Sequence, residues 1–310
     1  MLNNVWKYLW SLIWGATGFA ALMVHYAFNS SAVRAFPEFN PDVLLHLRRI
    51  SQIVASGKLL PINGLDPYSG LLSPLHYPYA PLLDLLCIHF CWLWYGLFPE
   101  SRIPVDEIAG VIPPLLGGLF IMVFAWWLRE LKASWTLNAV ILFALLQFSG
   151  FHHIFGYHTV DHHCLESFFL WIWLMVTTTA LLRDADSTVL LACATVCVSG
   201  LAWGWNGSPI PVALISAYIV VIMFAGVAWA DPLCEFAGLS FFIGGGLVWA
   251  KYHVAGAEYT LTKFSPIFPG VVSLAGIALL TTRHCLKVGL KRELLVVSSV
   301  STLLGLWHWG

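Results

Sequence analysis

The chain has 310 residues, of which 59% are hydrophobic and only 10% charged, and its formal net charge is −1. A soluble domain carries about 25% charged residues, so this composition excludes an ordinary water-soluble fold. The charges sit in short patches between long apolar stretches; they give no basic footprint for nucleic acid and make lipid the solvent for most of the chain.

A membrane span needs about 20 apolar residues. Asn3 to Lys7 lead into an apolar run without a small-residue cleavage site, so the first segment reads as an uncleaved span and not a signal peptide. Spans are predicted at residues 9–28, 108–128, 134–150, 165–182, 187–205, 209–229, 234–250, 267–282 and 293–308. Segment 78–98 is apolar but holds Pro78, Pro81, Asp84 and His89. A carboxylate near the bilayer centre costs about 2.5–3.5 kcal/mol, so this segment is read as non-spanning. The basic loops at Arg129 and Lys132, and at Arg283, Lys287, Lys291 and Arg292, belong in the cytoplasm.

Counting spans from those loops puts the N-terminus inside and turns loops 151–164 and 251–266 outward. Residues 29–107 then form one large first outer loop, with one or two helices at the membrane surface. The expected fold is an all-α integral membrane bundle of about nine transmembrane helices, a single domain over residues 1–310, multi-pass in the plasma or inner membrane. An end at Trp307-His308-Trp309-Gly310, directly after a span, fits a fragment of a longer chain. The seven cysteines are odd in number and mostly inside apolar runs, which predicts small buried hydrophobes and not a disulfide framework.

Three constellations carry possible chemistry. In Asn40-Pro41-Asp42 to Arg49, Pro41 suits a helix start and Asp42 its first turn. Asp42, His46 and Arg49 share one helical face, which is either the polar side of a surface helix or one wall of a site. The second is His152-His153 with Tyr157-His158-Thr159-Val160-Asp161-His162-His163-Cys164-Leu165-Glu166, five histidines within twelve residues at the mouth of a span. Asp with His suits Mn²⁺ or Mg²⁺ in a mixed shell, or Zn²⁺ or Fe²⁺. The third is the outward loop from Lys251-Tyr252-His253 through Glu258 to Lys263, otherwise readable as a solvated loop with snorkelling lysines. The aromatics of Trp203-Gly204-Trp205 read as an interfacial belt.

Together these motifs resemble the catalytic subunit of oligosaccharyltransferases, of the C-fold class of membrane glycosyltransferases (GT-C). The features that carry the resemblance are Asp42 ahead of an arginine-bearing helix, and Asp66-Pro67-Tyr68-Ser69-Gly70 followed by Leu75-His76-Tyr77 to Asp84. Asp161-His162-His163 with Glu166 before a span and the Trp-Gly-Trp turn two spans later complete it. The resemblance implies a GT-C bundle with a large first extracytoplasmic loop and a divalent metal, Mn or Mg. It also implies a polyprenyl-linked sugar donor and an acceptor peptide or other acceptor on the outer face. It implies Asp42, Asp161 and His163 as metal ligands, with Asp42 also engaging the acceptor. His162 and Glu166 become supporting residues of the substrate site, and Arg48, Arg49 and Lys251 candidates for the donor phosphate. An acid is expected in the later outer loop; Glu258 is the candidate, because Lys263 stands beside Phe264-Ser265-Pro266. Two other readings stay open. His158-x-x-x-His162-His163 also matches a histidine box of a di-iron oxidase or desaturase, and a transporter would require charges inside the spans.

Overall fold

The protein is described from a computed structural model, which covers residues 2–33, 41–57, 65–66, 75–76, 82–157, 159–182, 187–205, 207–254 and 267–289. The first helix α1 (Leu2–Val33) is followed by α2 (Pro41–Ser56), a two-residue antiparallel ladder β1 (Leu65–Asp66) and β2 (Leu75–His76), and α3 (Leu82–Leu97). Then come α4 (Val105–Ala109), α5 (Ile112–Glu130), α6 (Trp135–Gln147), α7 (Ser149–Phe155) and α8 (His163–Leu182). The described chain closes with α9 (Ser187–Gly204), α10 (Pro209–Phe224), α11 (Ala230–Val254) and α12 (Ile267–Lys287). Helices dominate because apolar segments in lipid must satisfy their own backbone N–H and C=O groups.

Local chemistry fixes the ends. Prolines at the start of α5 and α10 cost no intrahelical bond there. The Ser134 hydroxyl accepts from the Leu137 N–H at 3.1 Å to cap α6. Gly57, at φ +64°, stops α2 while its N–H donates to the Ile53 carbonyl.

Among the described residues, Val105–Glu130, His163–Leu182, Ala230–His253 and Ile267–Lys287 are long and apolar enough to cross a membrane. With the bent pair α6–α7 counted as one span, the described residues account for up to five of the nine expected spans. Leu82–Leu97, Thr188–Gly204 and Pro209–Phe224 are shorter apolar helices, and segment 293–308 lies outside the described residues. The expected single span 134–150 is broken instead: Phe148 is extended (φ −75°, ψ 116°) and the two helices meet at 68°. The break withdraws a helical donor from the Leu146 carbonyl, and the His152 ring supplies one through Nε2, 2.5 Å away.

Two apolar cores share α8 as a common wall. The first joins α1 to α7 with Cys164, Leu165 and Met175, and the second joins α8 to α12 around Trp173, Phe241 and Val272. Helices α11 and α12 approach backbone to backbone. A Cβ at Gly276 would stand 2.4 Å from the Phe242 nitrogen and 2.5 Å from the Gly238 oxygen. Such contacts replace the hydrophobic effect, which lipid does not provide between helices. Five of the cysteines (Cys87, Cys91, Cys164, Cys197 and Cys234) are buried, as expected, but Cys193 is exposed.

Replacing Gly276 by Val forces two helix backbones apart and should cost at least about 1–3 kcal/mol. Gly246→Ala meets only the Ser273 hydroxyl at 3.4 Å and gains helix propensity. Thermal unfolding in detergent should therefore show a clear drop in midpoint for Gly276→Val and none for Gly246→Ala.

Candidate functional site

One end of the bundle gathers the polar residues. The N-termini of α3 and α8 and the C-termini of α9 and α11 converge there: Gly204 approaches Leu165 and Leu82, and Trp203 packs on Tyr252. Against them lies α2. Its polar face is not turned to solvent: His46 is fully buried and Arg49 is 8% exposed. Both reach Asp84 of α3, itself 1% exposed. His46 Nδ1 lies 2.6 Å from Asp84 Oδ1, and Arg49 Nη1 donates to Asp84 Oδ2 at 3.2 Å. The surface-helix alternative for this segment is therefore set aside: His46 and Arg49, spaced i, i+3, are buried against an acid.

The segment between α7 and α8 supplies the other half. Helix α7 packs Phe151 and Phe155 on Phe120 of α5, so the bend at Phe148 folds this segment back over the bundle. The Thr159 hydroxyl donates to the Gly156 carbonyl at 2.6 Å, and the Tyr157 hydroxyl donates to Glu107. Val160 is fully buried and anchors the turn. Asp161 is thereby fixed at the N-terminus of α8, where the helix dipole favours a carboxylate.

Asp161 Oδ1 lies 2.8 Å from His162 Nδ1, and the His162 ring is 6.1 Å from that of His46. His46, Asp161 and His162, all buried, present ligand atoms within 4.8 Å of one another, the one such group among the described residues. Burial alone would raise the Asp161 carboxyl. Its hydrogen bond to His162 and the nearby imidazoles of His162, His163 and His46 instead hold it at about 2.

The other residues singled out from sequence fall as follows. His163 was expected as a ligand, but its side chain is 54% exposed and pairs with Glu166, Nδ1 to Oε2 at 2.8 Å. It is the first residue of α8, and its ring lies 4.4 Å from that of His162, which belongs to the buried group. Arg49, expected on a donor phosphate, is engaged by Asp84. Arg48 is half-buried beside it. Lys251 is exposed, with its ammonium 3.7 Å above the Trp203 ring. Trp203 also packs on the buried Tyr252, beside this end of the bundle. The side chain of Asp42, and all of His158, Glu258 and Lys263, lie outside the described residues. His46 was seen in sequence only as part of a polar face. The signal that points to it is the lone buried-type acid Asp84, which needs partners once it is excluded from a span.

The far end of the bundle has a different chemistry. There Lys7 of α1 meets Glu130 of α5 at 3.5 Å. Arg283 of α12 binds Asp231 at 2.9 Å and Glu235 at 2.6 Å, and Lys287 reaches Asp231 at 3.2 Å. The antiparallel run of helices separates these ion pairs from the His46–Asp84–Asp161 end by the length of the bundle.

No protein-family model matches the sequence, and no curated protein matches it. Solved structures do. The archaeal oligosaccharyltransferase AglB from Archaeoglobus fulgidus, in complex with an inhibitory peptide and a dolichol-phosphate, superposes with a TM-score of 0.73 at 17% identity, over 99% of this chain and 38% of that one. An oligosaccharyltransferase structure from the same organism in complex with Zn and sulfate gives a TM-score of 0.70 at 18% identity, over 96% of this chain and 40% of that one. A third, tethered to an acceptor peptide containing the NVT sequon, gives 0.71 at 18% identity, over 97% and 38%. The chain thus spans about two-fifths of the length of the structures it matches. At that level of identity the likeness is one of architecture, and this multi-span membrane protein shares the fold of the matched part of archaeal oligosaccharyltransferase.

Proposed function

We propose that this chain forms the membrane-embedded site of a metal-dependent glycosyltransferase. It moves a sugar or oligosaccharide from a polyprenyl-(di)phosphate donor to an acceptor on the extracytoplasmic face. The observation that carries the reading is the buried group of His46, Asp161 and His162 at one end of an oligosaccharyltransferase-like fold. Support for the substrate classes comes from similar structures, which hold a dolichol-phosphate and an acceptor peptide.

The donor set fits a divalent cation. One carboxylate and two imidazoles suit Mn²⁺ or Zn²⁺ better than Mg²⁺, which favours an all-oxygen shell. Asp161, His162 and His46 would hold the ion, with Asp42 and His163 as further ligands in the reading from family resemblance. When bound, such an ion neutralises negative charge on a departing phosphate. The chain's own residues do the remaining work. Asp42 and Glu258 are assigned to orient and polarise the acceptor. Lys251, held over Trp203, and Arg48 place positive charge beside the site for the donor phosphate. The buried walls of Val160, Leu165 and Tyr252 keep water from the reacting centre.

The outward assignment rests on charge. The short connections at Arg129–Lys132 and after Arg283 lie at the far end of the bundle, and Lys and Arg in short loops mark the cytoplasmic side. A cysteine placed at Arg102, in the exposed turn before α4, should react with an impermeant maleimide in intact cells. Cys285 should react only after permeabilisation. The reverse pattern would invert the topology.

Asp161→Ala should lower metal-dependent transfer from a polyprenyl-linked donor by more than about 100-fold while the protein remains folded. Unchanged transfer would rule the mechanism out. Because Asp161 is held at about 2, its carboxylate stays ionised at every working pH. Protons compete with a cation for its ligands, so metal uptake should fall as pH falls. Asp161→Asn, which keeps the shape of the side chain and removes its charge, should sharply weaken metal uptake at neutral pH.

A further inference from the structure

We infer that Asp84 is the positioning residue of this site, a buried carboxylate that fixes the tautomer and orientation of His46 and presents the Nε2 of His46 to a divalent cation. The inference rests on the metal reading above and deepens it. Asp84 belongs to α3 and His46 to α2, so the contact is made between elements and is not local to one turn. An ionised carboxylate only accepts hydrogen bonds, and Arg49 engages its second oxygen at 3.2 Å. The 2.6 Å contact between His46 Nδ1 and Asp84 Oδ1 therefore places the hydrogen on Nδ1. That leaves Nε2 as the nitrogen with a lone pair, and His46 belongs to the buried group with Asp161 and His162.

Metal-binding histidines characteristically donate their second ring N–H to a carboxylate, which raises ligand basicity and holds the ring. Here every component of that arrangement is buried, with His46 at 0% and Asp84 at 1% exposure, so the orientation cannot relax into solvent. A second consequence concerns charge. Arg49 neutralises Asp84, so the acid orients His46 without adding a net negative charge to the ion's surroundings. The alternative is a tie between α2 and α3 that holds the fold and has no bearing on a ligand, and the two roles are separable by experiment.

Mn²⁺ alone, titrated into the purified full chain in nanodiscs, serves as the probe and requires no turnover. Asp84→Asn should weaken Mn²⁺ binding about 10- to 100-fold, and Asp84→Glu should recover part of that loss. In a His46→Gln background, Asp84→Asn should add less than about 2-fold, because the effect runs through His46. Folded Asp84→Asn protein that binds Mn²⁺ as the wild type does, or a loss of equal size in the His46→Gln background, overturns the inference. The wild-type protein gives a test independent of how the variants fold: ¹⁵N shifts of the His46 ring, assigned by difference from His46→Gln, should report hydrogen on Nδ1. A hydrogen on Nε2 instead overturns it. Wild-type protein that takes up no Mn²⁺ overturns the metal reading and this inference together, whereas normal uptake with an indifferent Asp84→Asn overturns the inference alone.

Discussion

A buried carboxylate must be paired, and at this end of the molecule Asp84 is the one that sets the arrangement. It lies in the first turn of α3, 1% exposed, between Arg49 and His46. Removing Arg49 would leave the Asp84 charge uncompensated in an apolar setting, a loss of about 3–5 kcal/mol for pairs of this kind. The need for partners explains two features together. Helix α3 is short, 16 residues, and does not stand among the described helices able to cross a membrane. Helix α2 turns its polar face inward, with Val43, Ile50 and Ile53 buried around that face.

The other half of the site is placed by packing. A single extended residue, Phe148, divides what would otherwise be one span, and α7 is then held on α5 by stacked aromatic rings. That geometry returns the chain over the bundle and sets Asp161 at the head of α8, beside the His46 that Asp84 has oriented. Because α8 walls both apolar cores, its N-terminus is a rigid platform. Polar chemistry is concentrated at this end. At the other end Arg283, Lys287, Asp231 and Glu235 are largely consumed in ion pairs with one another. A membrane helix pair can carry such charges at its ends without cost to its apolar middle.

Much of this was legible in the chain. Apolar run length gave the helical membrane class, and Asp84 with Pro78 and Pro81 marked segment 78–98 as different from the spans. The density of histidines beside Asp161 marked the site. What was not legible was tertiary. In the run from 134 to 150 no proline marks a break, and Gly150, near its end, does not announce that Phe148 becomes extended. Adjacent residues His162 and His163 are equivalent in sequence. They differ in burial: His162 is buried in the group with His46 and Asp161, and His163, where α8 begins, lies exposed beside Glu166. The partners of Asp84 lay 35 and 38 residues away, a distance that periodicity within one helix does not bridge. Helix length is likewise tertiary: α9 and α10 are apolar but end at Gly204 and Phe224.

The central claim is that the end of the bundle built on Asp84 holds a divalent cation between α2 and the head of α8. Anomalous scattering from crystals of the full chain grown with Mn²⁺ tests it most directly. The account predicts one strong peak bounded by His46, Asp161 and His162, with a His46 nitrogen in coordination. A peak bound at His163 and Glu166 with His46 uninvolved, or no ordered ion at this end of the bundle, would contradict it.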